Sequence, residues 1–211
     1  MMKYKSPILL FLIFIGFVSV FSSLGPVERT LGISARIVYL HGAWVWASLG
    51  AFIIAGCTGL VGLLSQITKK AAHPYHQWSR ALGRTGIVFW ITYLPLSLWA
   101  MDSNWNGLFL AEPRWRFAVI FAVTGLLLQI GLSFTPVAWA SFWNAAYITV
   151  LFGILASTEN VMHPPSPMLG SNAWRIQLFF GVLTLLLMLA AWQAARWFKT
   201  LEDPPPPSQT K

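Results

Sequence analysis

The chain has 211 residues, of which 56% are hydrophobic and 9% are charged, and its mean hydropathy is +0.64. Soluble domains carry roughly 25% charged residues, so this composition excludes an ordinary soluble domain and predicts an integral membrane protein. The formal charge of +8 does not indicate nucleic-acid binding, because the basic residues are spread over several segments and form no single patch. The single cysteine, Cys57, excludes an intrachain disulfide and a CxxC redox motif.

Six apolar stretches follow one another along the chain. Each approaches the roughly 20 residues that a helix needs to cross a bilayer, and none shows the alternation of a β-barrel strand. The first could also be a signal peptide, but no A-x-A cleavage site follows it, so we interpret it as a transmembrane helix. We therefore predict an all-α integral membrane protein with one six-helix domain over 1–200 and a solvated, proline-rich tail over 201–211. The predicted spans are 7–24, 38–65, 84–101, 116–134, 138–157 and 174–197.

The basic residues alternate between the two sides of the membrane that these spans define. Nine fall on the side of both termini and five on the opposite side, so the positive-inside rule predicts that both termini are cytoplasmic. We expect the membrane to be the inner (plasma) membrane of the cell. The five outer bases are all arginines, whose planar guanidinium suits a carboxylate ligand; alternatively they pair with outer acids and lipid headgroups. The nine are Lys3, Lys5, Lys69, Lys70, Arg80, Arg84, Arg196, Lys199 and Lys211; the five are Arg29, Arg36, Arg114, Arg116 and Arg175.

The four histidines fall into two pairs. His73 and His76 lie in the predicted inner segment TKKAAHPYHQWSR, where we expect them to be solvated or to face headgroups. His41 opens the second predicted span and His163 precedes the sixth, so both are expected on the outer face. Two neutral imidazoles from opposite sides can ligate one haem iron. Alternatively, each of them only forms hydrogen bonds within the aromatic belt that membrane interfaces carry in any case.

Two segments around the second pair have a recognisable pattern. RIVYLHGAWVWASLGAF contains Arg-Ile-x-Tyr-x-His followed closely by Ala-Trp, and NVMHPPS contains the later histidine just before the last span. Both resemble the CcmC/CcsA-type haem-handling proteins of cytochrome c assembly, and the six-span plan with both termini inside is similar as well. This resemblance implies that the chain binds haem b, with His41 and His163 as axial ligands of the iron.

The tryptophan-rich outer loop of that family is only partly present here. The corresponding segment is NWNGLFLAEPRWRF, in which Trp105 matches the first tryptophan and Glu112 stands where the family has an aspartate. Leu108, Phe109 and Ala111 replace other tryptophans, which reduces the stacking area and the number of N–H donors. The resemblance implies a haem platform and propionate contacts in this region. Besides the two histidines, the implied haem-binding residues are Trp44, Trp105, Phe109, Glu112, Arg36, Arg114 and Arg116.

The leading hypothesis is a haem-handling membrane protein of cytochrome c assembly, which holds haem b near the extracytoplasmic face and passes it on. The alternative is a structural or haem b-carrying electron-transfer subunit of a larger bioenergetic membrane complex, which the altered loop favours. A small-molecule permease is a further alternative, although the expected lack of ionisable residues inside the spans weighs against it. No catalytic set or Walker phosphate loop is recognisable, so we predict binding rather than catalysis. The expected partners are membrane lipid and other membrane subunits of the complex, and not nucleic acid.

Overall fold

The computed structural model describes residues 6–159, 168–170 and 172–202. Within these ranges every regular element is an α-helix, apart from an isolated bridge between Glu28 and Gly32. The predicted all-α class is therefore confirmed. The six helices are α1 (Pro7–Ser23), α2 (Ala35–Ile67), α3 (His73–Trp105), α4 (Pro113–Ser133), α5 (Val137–Ser157) and α6 (Trp174–Thr200).

Five of the helices, α2 to α6, are long and apolar enough to cross a membrane. The remaining helix, α1, is apolar but has only 17 residues, which is about 26 Å at 1.5 Å per residue. That length falls slightly short of the roughly 30 Å of hydrocarbon in a typical bilayer. By length and composition the chain is a multi-pass membrane protein, while the side on which its termini lie stays a prediction.

Helices α2 and α3 form the centre of the bundle. Helices α1 and α6 pack together beside this pair, and α5 packs against it on the other side. Helix α4 contacts α3 and α5, whereas its backbone does not approach α2 within 8 Å. The separation of α2 from α4 leaves space between them, and the cavity described below lies there.

Glycines bring α2 very close to α3 and α5 over the second half of α2. A Cβ atom added at Gly59 would lie 2.6 Å from the backbone oxygen of Ser141 on α5. One added at Gly62 would lie 2.7 Å from Nδ1 of His76 on α3. Small residues that let backbones approach closely are typical of helix pairs in membranes, where lipid removes the hydrophobic drive for association. Helices α2, α3 and α5 therefore pack tightly against one another at the level of Gly59 and Gly62.

The third helix is longer than the span predicted over 84–101. Helix α3 begins eleven residues earlier, at His73. Pro74 suits the first turn, since the N–H it lacks would have no partner inside the helix there. The polar residues that follow face the bundle: Nδ1 of His76 lies 2.6 Å from the hydroxyl of Ser141. The expectation that His76 is solvated is therefore wrong, whereas His73 is exposed.

The end of α6 is held to α3 by charge. Arg80 and Arg84, predicted in a loop, lie within α3 and pair with the carboxylate of Glu202 just beyond α6. The Arg80 side chain is only 7% exposed and also donates a 2.6 Å hydrogen bond to the carbonyl oxygen of Thr135. Both arginines lie outside the middle of the predicted span over 84–101, so this ion cluster does not bear on the expected lack of ionisable residues in mid-span. We call this end of the bundle the Glu202 end.

We expect Gly59→Ala to destabilise the protein, because the added methyl group meets backbone atoms of α5 that cannot move aside cheaply. Overpacking of this kind costs about 1–3 kcal/mol. The matched control is Gly153→Ala on α5, whose added Cβ meets nothing within 4 Å and gains helix propensity. Thermal unfolding in detergent, followed by far-UV circular dichroism, measures both variants. Equal midpoints for the two would show that the α2–α5 approach is not tight.

Candidate ligand-binding cavity

A cavity of about 590 Å³ lies at the end of the bundle opposite Glu202. It is enclosed by the first half of α2, the second half of α3, the start of α4 and the end of α5. Leu31, from the loop between α1 and α2, and Met168 also contribute to its lining. Small-molecule sites typically occupy about 300–1,000 Å³ and are lined mainly by apolar and aromatic side chains with a few polar groups, so this cavity has the size of a cofactor site.

Aromatic rings form much of the wall, and several are held in fixed positions. The indole of Trp90 donates a 3.0 Å hydrogen bond to the carbonyl oxygen of Ala118 on α4. Its ring meets Tyr93 edge-on at 5.0 Å and Phe121 at 6.4 Å. These contacts tie α3 to α4 below the cavity. The lining aromatics are Trp46, Trp90, Tyr93, Trp105, Trp115, Phe117, Phe121 and Phe152.

His41 lies in the second turn of α2 and lines the cavity. Its ring centroid is 5.6 Å from that of Tyr93 on α3, with the two planes tilted by 56°. The side chain is partly exposed, and it belongs to a helix of 33 residues whose backbone is continuous at this point. A neutral imidazole held on a rigid element in an aromatic wall is a suitable metal ligand.

Charged and polar groups lie in the same wall near its outer rim. Glu112 precedes α4, and its Oε2 accepts a 2.7 Å hydrogen bond from the backbone N–H of Trp115, as an N-cap should. Glu112 is only 6% exposed, and its Oε1 has no hydrogen-bond partner among the described residues. Arg114 also lines the cavity, as does Asn104, whose amide donates to the carbonyl oxygen of Ala100. Among the described residues, the lining therefore includes one carboxylate and one guanidinium.

Four of the nine residues predicted for haem binding meet at this cavity. They are His41, Trp105, Glu112 and Arg114. His163 lies outside the described residues, so the predicted pair of histidines stays a prediction. The described residues nearest to it in sequence that line the cavity are Ala156, at the end of α5, and Met168.

The other four predicted residues do not belong to the described lining. Trp44 donates a 3.0 Å hydrogen bond to Thr92 of α3 and lies against Phe89, so its indole serves packing between helices. Arg36 donates to the carbonyl oxygen of Gly25 and holds the loop between α1 and α2. Phe109 meets the ring of Trp105 edge-on at 6.0 Å and is exposed, and Arg116 is exposed as well.

Sequence reasoning missed a stripe of lining residues on α3. Trp90, Tyr93, Ser97, Met101 and Asn104 all line the cavity, and they recur at intervals of three or four residues. This is the period with which a helix presents one face. The stripe could therefore have been read from the sequence, but nothing in it distinguishes the lining of a cavity from an ordinary packed core.

The chain was compared with known proteins at the level of family models, curated sequences and solved structures, and no match was found in any of the three comparisons. The resemblance to CcmC/CcsA-type proteins therefore stays a prediction.

A tight turn positions Leu31 over the cavity. The Glu28 carboxylate accepts 2.7 Å hydrogen bonds from the backbone N–H groups of Leu31 and Thr30. These bonds, that of Leu31 foremost, hold the pKa of Glu28 below its ordinary value. The charged form is thus favoured in the folded turn, so its contribution is complete above the ordinary pKa and is lost as the pH falls through the lowered one.

We expect a pH titration of the Thr30 and Leu31 amide signals to show a midpoint below 4.5, the ordinary value for this carboxyl group. Nuclear magnetic resonance of the detergent-solubilised protein with these amides labelled measures it. Glu28→Gln is the control, because it keeps the shape of the side chain and removes the titration. A midpoint at 4.5 or above would contradict the hydrogen bonding of the turn.

Proposed function

We propose that the cavity binds haem b and that the protein handles haem in cytochrome c assembly. The observation that carries this proposal is the placement of His41 in the wall of an aromatic cavity of cofactor size, with Arg114 at the rim of the same cavity. Haem requires an axial ligand, broad apolar surfaces for its two faces and cations for its propionates. The described lining includes an imidazole, apolar and aromatic side chains and the guanidinium of Arg114, and this composition supports the proposal.

The residues that hold the haem have separate tasks in this proposal. His41 would ligate the iron of a bound haem, because imidazole is a common ligand of haem iron. Trp90, Tyr93 and Trp105 supply the apolar wall, and Arg114 pairs with a propionate through the planar fork of its guanidinium. When bound, haem supplies reversible one-electron chemistry at its iron. The chain itself excludes water and orients the group.

His163 is proposed as the second axial ligand. It is five positions from Met168, which lines the cavity, and five residues of extended chain reach up to about 17 Å. Connectivity therefore permits His163 to come within reach of the cavity.

A structural or electron-transfer subunit of a larger membrane complex is the second candidate. The observation that favours it is the exposure of three consecutive apolar residues, Leu108, Phe109 and Leu110, in the short loop between α3 and α4. Such a patch suits contact with another membrane subunit or with lipid. In this case the haem would stay in place and carry electrons. The two candidates differ in whether an added apo-haem protein removes the haem: transfer favours delivery, and retention favours a resident cofactor.

The proposal also includes the location. With both termini in the cytoplasm of a plasma-membrane protein, as the positive-inside rule predicts, the cavity end faces the extracytoplasmic side. Cytochrome c assembly takes place on that side, and the partners would be lipid and other membrane subunits.

We expect the purified protein to show a Soret band that shifts on reduction with dithionite, and His41→Ala and His163→Ala each to lose or strongly weaken it. Removal of an axial imidazole deletes a ligand that no neighbouring solvent group replaces at equal strength. His73→Ala is the control, because His73 is exposed and lies in α3 at the Glu202 end. Visible absorption spectra measure all three. Haem retained at wild-type level in His41→Ala would overturn the proposal.

Two neighbouring arginines on α4 give a second, matched comparison. Arg114 lines the cavity and Arg116 is exposed away from it. If Arg114 holds a propionate, Arg114→Ala should raise the dissociation constant of haem about tenfold, which corresponds to about 1.4 kcal/mol. Arg116→Ala should leave it within about twofold. Titration of haem into the apo-protein in detergent, followed at the Soret band, measures both, and equal effects would mean that these arginines only pair with headgroups.

A further inference from the structure

A second recess lies on the outside of the bundle, next to the cavity. It has a volume of about 260 Å³ and runs between α2 and α6. Its α6 wall extends from Phe180 to Met188, and Leu169 and Trp46 complete it. Among the residues that the structure describes, Trp46 is the one that lines both this groove and the cavity.

Described side chains lie between the two spaces. Trp46 of α2 lines both, Met168 lines the cavity, and the adjacent Leu169 lines the groove. Met168 is buried in a core cluster with residues of α1, α2 and α6, whereas Trp46 is exposed. Exposed side chains change rotamer on the picosecond-to-nanosecond scale, so Trp46 can change position without movement of a helix.

Trp46 differs from neighbouring tryptophans in how it is held. The indole of Trp44 donates to Thr92, and that of Trp90 donates to the carbonyl oxygen of Ala118. Trp46 makes no hydrogen bond or ring contact with any described residue and is 37% exposed. It is thus a large ring at a boundary with no polar contact to fix its rotamer.

The groove opens at the depth of the hydrocarbon. Trp46 is about 16 Å along the α2 axis from Ala35, and Leu185 and Met188 at the groove are exposed on a helix long enough to cross a membrane. A porphyrin macrocycle has two broad apolar faces and partitions from water into lipid. A ligand of this kind therefore meets the groove within the bilayer before it meets the cavity.

We infer that the groove between α2 and α6 receives haem from the bilayer and that Trp46 is the gate through which the haem passes into the cavity. This inference rests on the proposed function, because it takes haem as the ligand of the cavity. The proposed function itself would also hold if haem came from the aqueous side, so the two can fail separately.

The test compares the rate of haem uptake with its final extent. Gly181 lines the groove, and a Cβ added there meets nothing within 4 Å, so Gly181→Leu fills the groove without disturbing the fold. Gly16→Leu on α1 is the matched control, since that position is equally open but does not belong to the groove. The apo-proteins are reconstituted in phosphatidylcholine vesicles and mixed with vesicles that contain haem, and the Soret band is followed by stopped flow.

We expect Gly181→Leu to slow uptake at least about fivefold and to reach the wild-type final amplitude, with Gly16→Leu at the wild-type rate. Trp46→Ala should accelerate uptake. Wild-type rates for Gly181→Leu and Trp46→Ala alike would overturn the inference and leave haem binding intact; the groove would then hold an acyl chain only. Failure of the wild-type protein to take up any haem would overturn the proposed function.

A second measurement needs no haem. Ser97 lines the cavity, and Cys57 is the single cysteine of the chain, so Cys57→Ala with Ser97→Cys places one thiol inside the cavity. A pyrene maleimide dissolved in the vesicle bilayer then reports access from the lipid through its fluorescence. Gly181→Leu in this background should slow labelling and Trp46→Ala should accelerate it. Equal labelling rates for the thiol variant alone, with Gly181→Leu and with Trp46→Ala would show that Trp46 is not a gate. This result would hold even if no haem is ever found.

Discussion

The close approach of α2 to α3 and α5 through glycine is the constraint on which the rest of the structure depends. Gly59 and Gly62 leave no room for a side chain against Ser141 and His76, so the three backbones meet in the half of the bundle nearer Glu202. Buried polar groups reinforce this contact: Asn144 donates to the carbonyl oxygen of Ser79 and accepts from Gln129. Helix α4 packs against α3 and α5 without approaching α2, and the cavity lies in the space that this leaves at the opposite end of the bundle.

The two ends of the bundle treat charge in different ways. At the Glu202 end, one carboxylate joins Arg80 and Arg84 and closes the bundle. At the cavity end, Glu112 caps α4 with one oxygen and Arg114 contributes to the cavity rim. A closed ion cluster adds to the cohesion of the fold, whereas charges at the rim of an apolar cavity can orient a ligand. The positions of the charged groups therefore suit one end of the bundle to cohesion of the fold and the other to orientation of a ligand.

The helices were predictable from hydropathy because each apolar stretch is long, and the all-α class followed from them. The start of α3 was not predictable in this way, since Ser79, Arg80 and Arg84 look like loop residues until their partners on α5 and after α6 are known. Single motifs directed attention to His41 and Glu112, which do line the cavity. Trp44 and Arg36 belong to the same motif as His41, but their side chains form hydrogen bonds with Thr92 and Gly25 instead. The direction in which such a side chain points depends on tertiary packing.

The ion cluster around Glu202 also limits how far α3 could shift along the bilayer normal. Helix α3 is about 50 Å long, so hydropathy alone would let it slide along the bilayer normal. Arg84 cannot enter the hydrocarbon cheaply, and the stretch from Arg84 to Trp105 measures about 32 Å at 1.5 Å per residue, close to the thickness of the hydrocarbon layer. When the guanidinium groups lie in one headgroup layer, this length brings Trp105 to the level of the opposite layer.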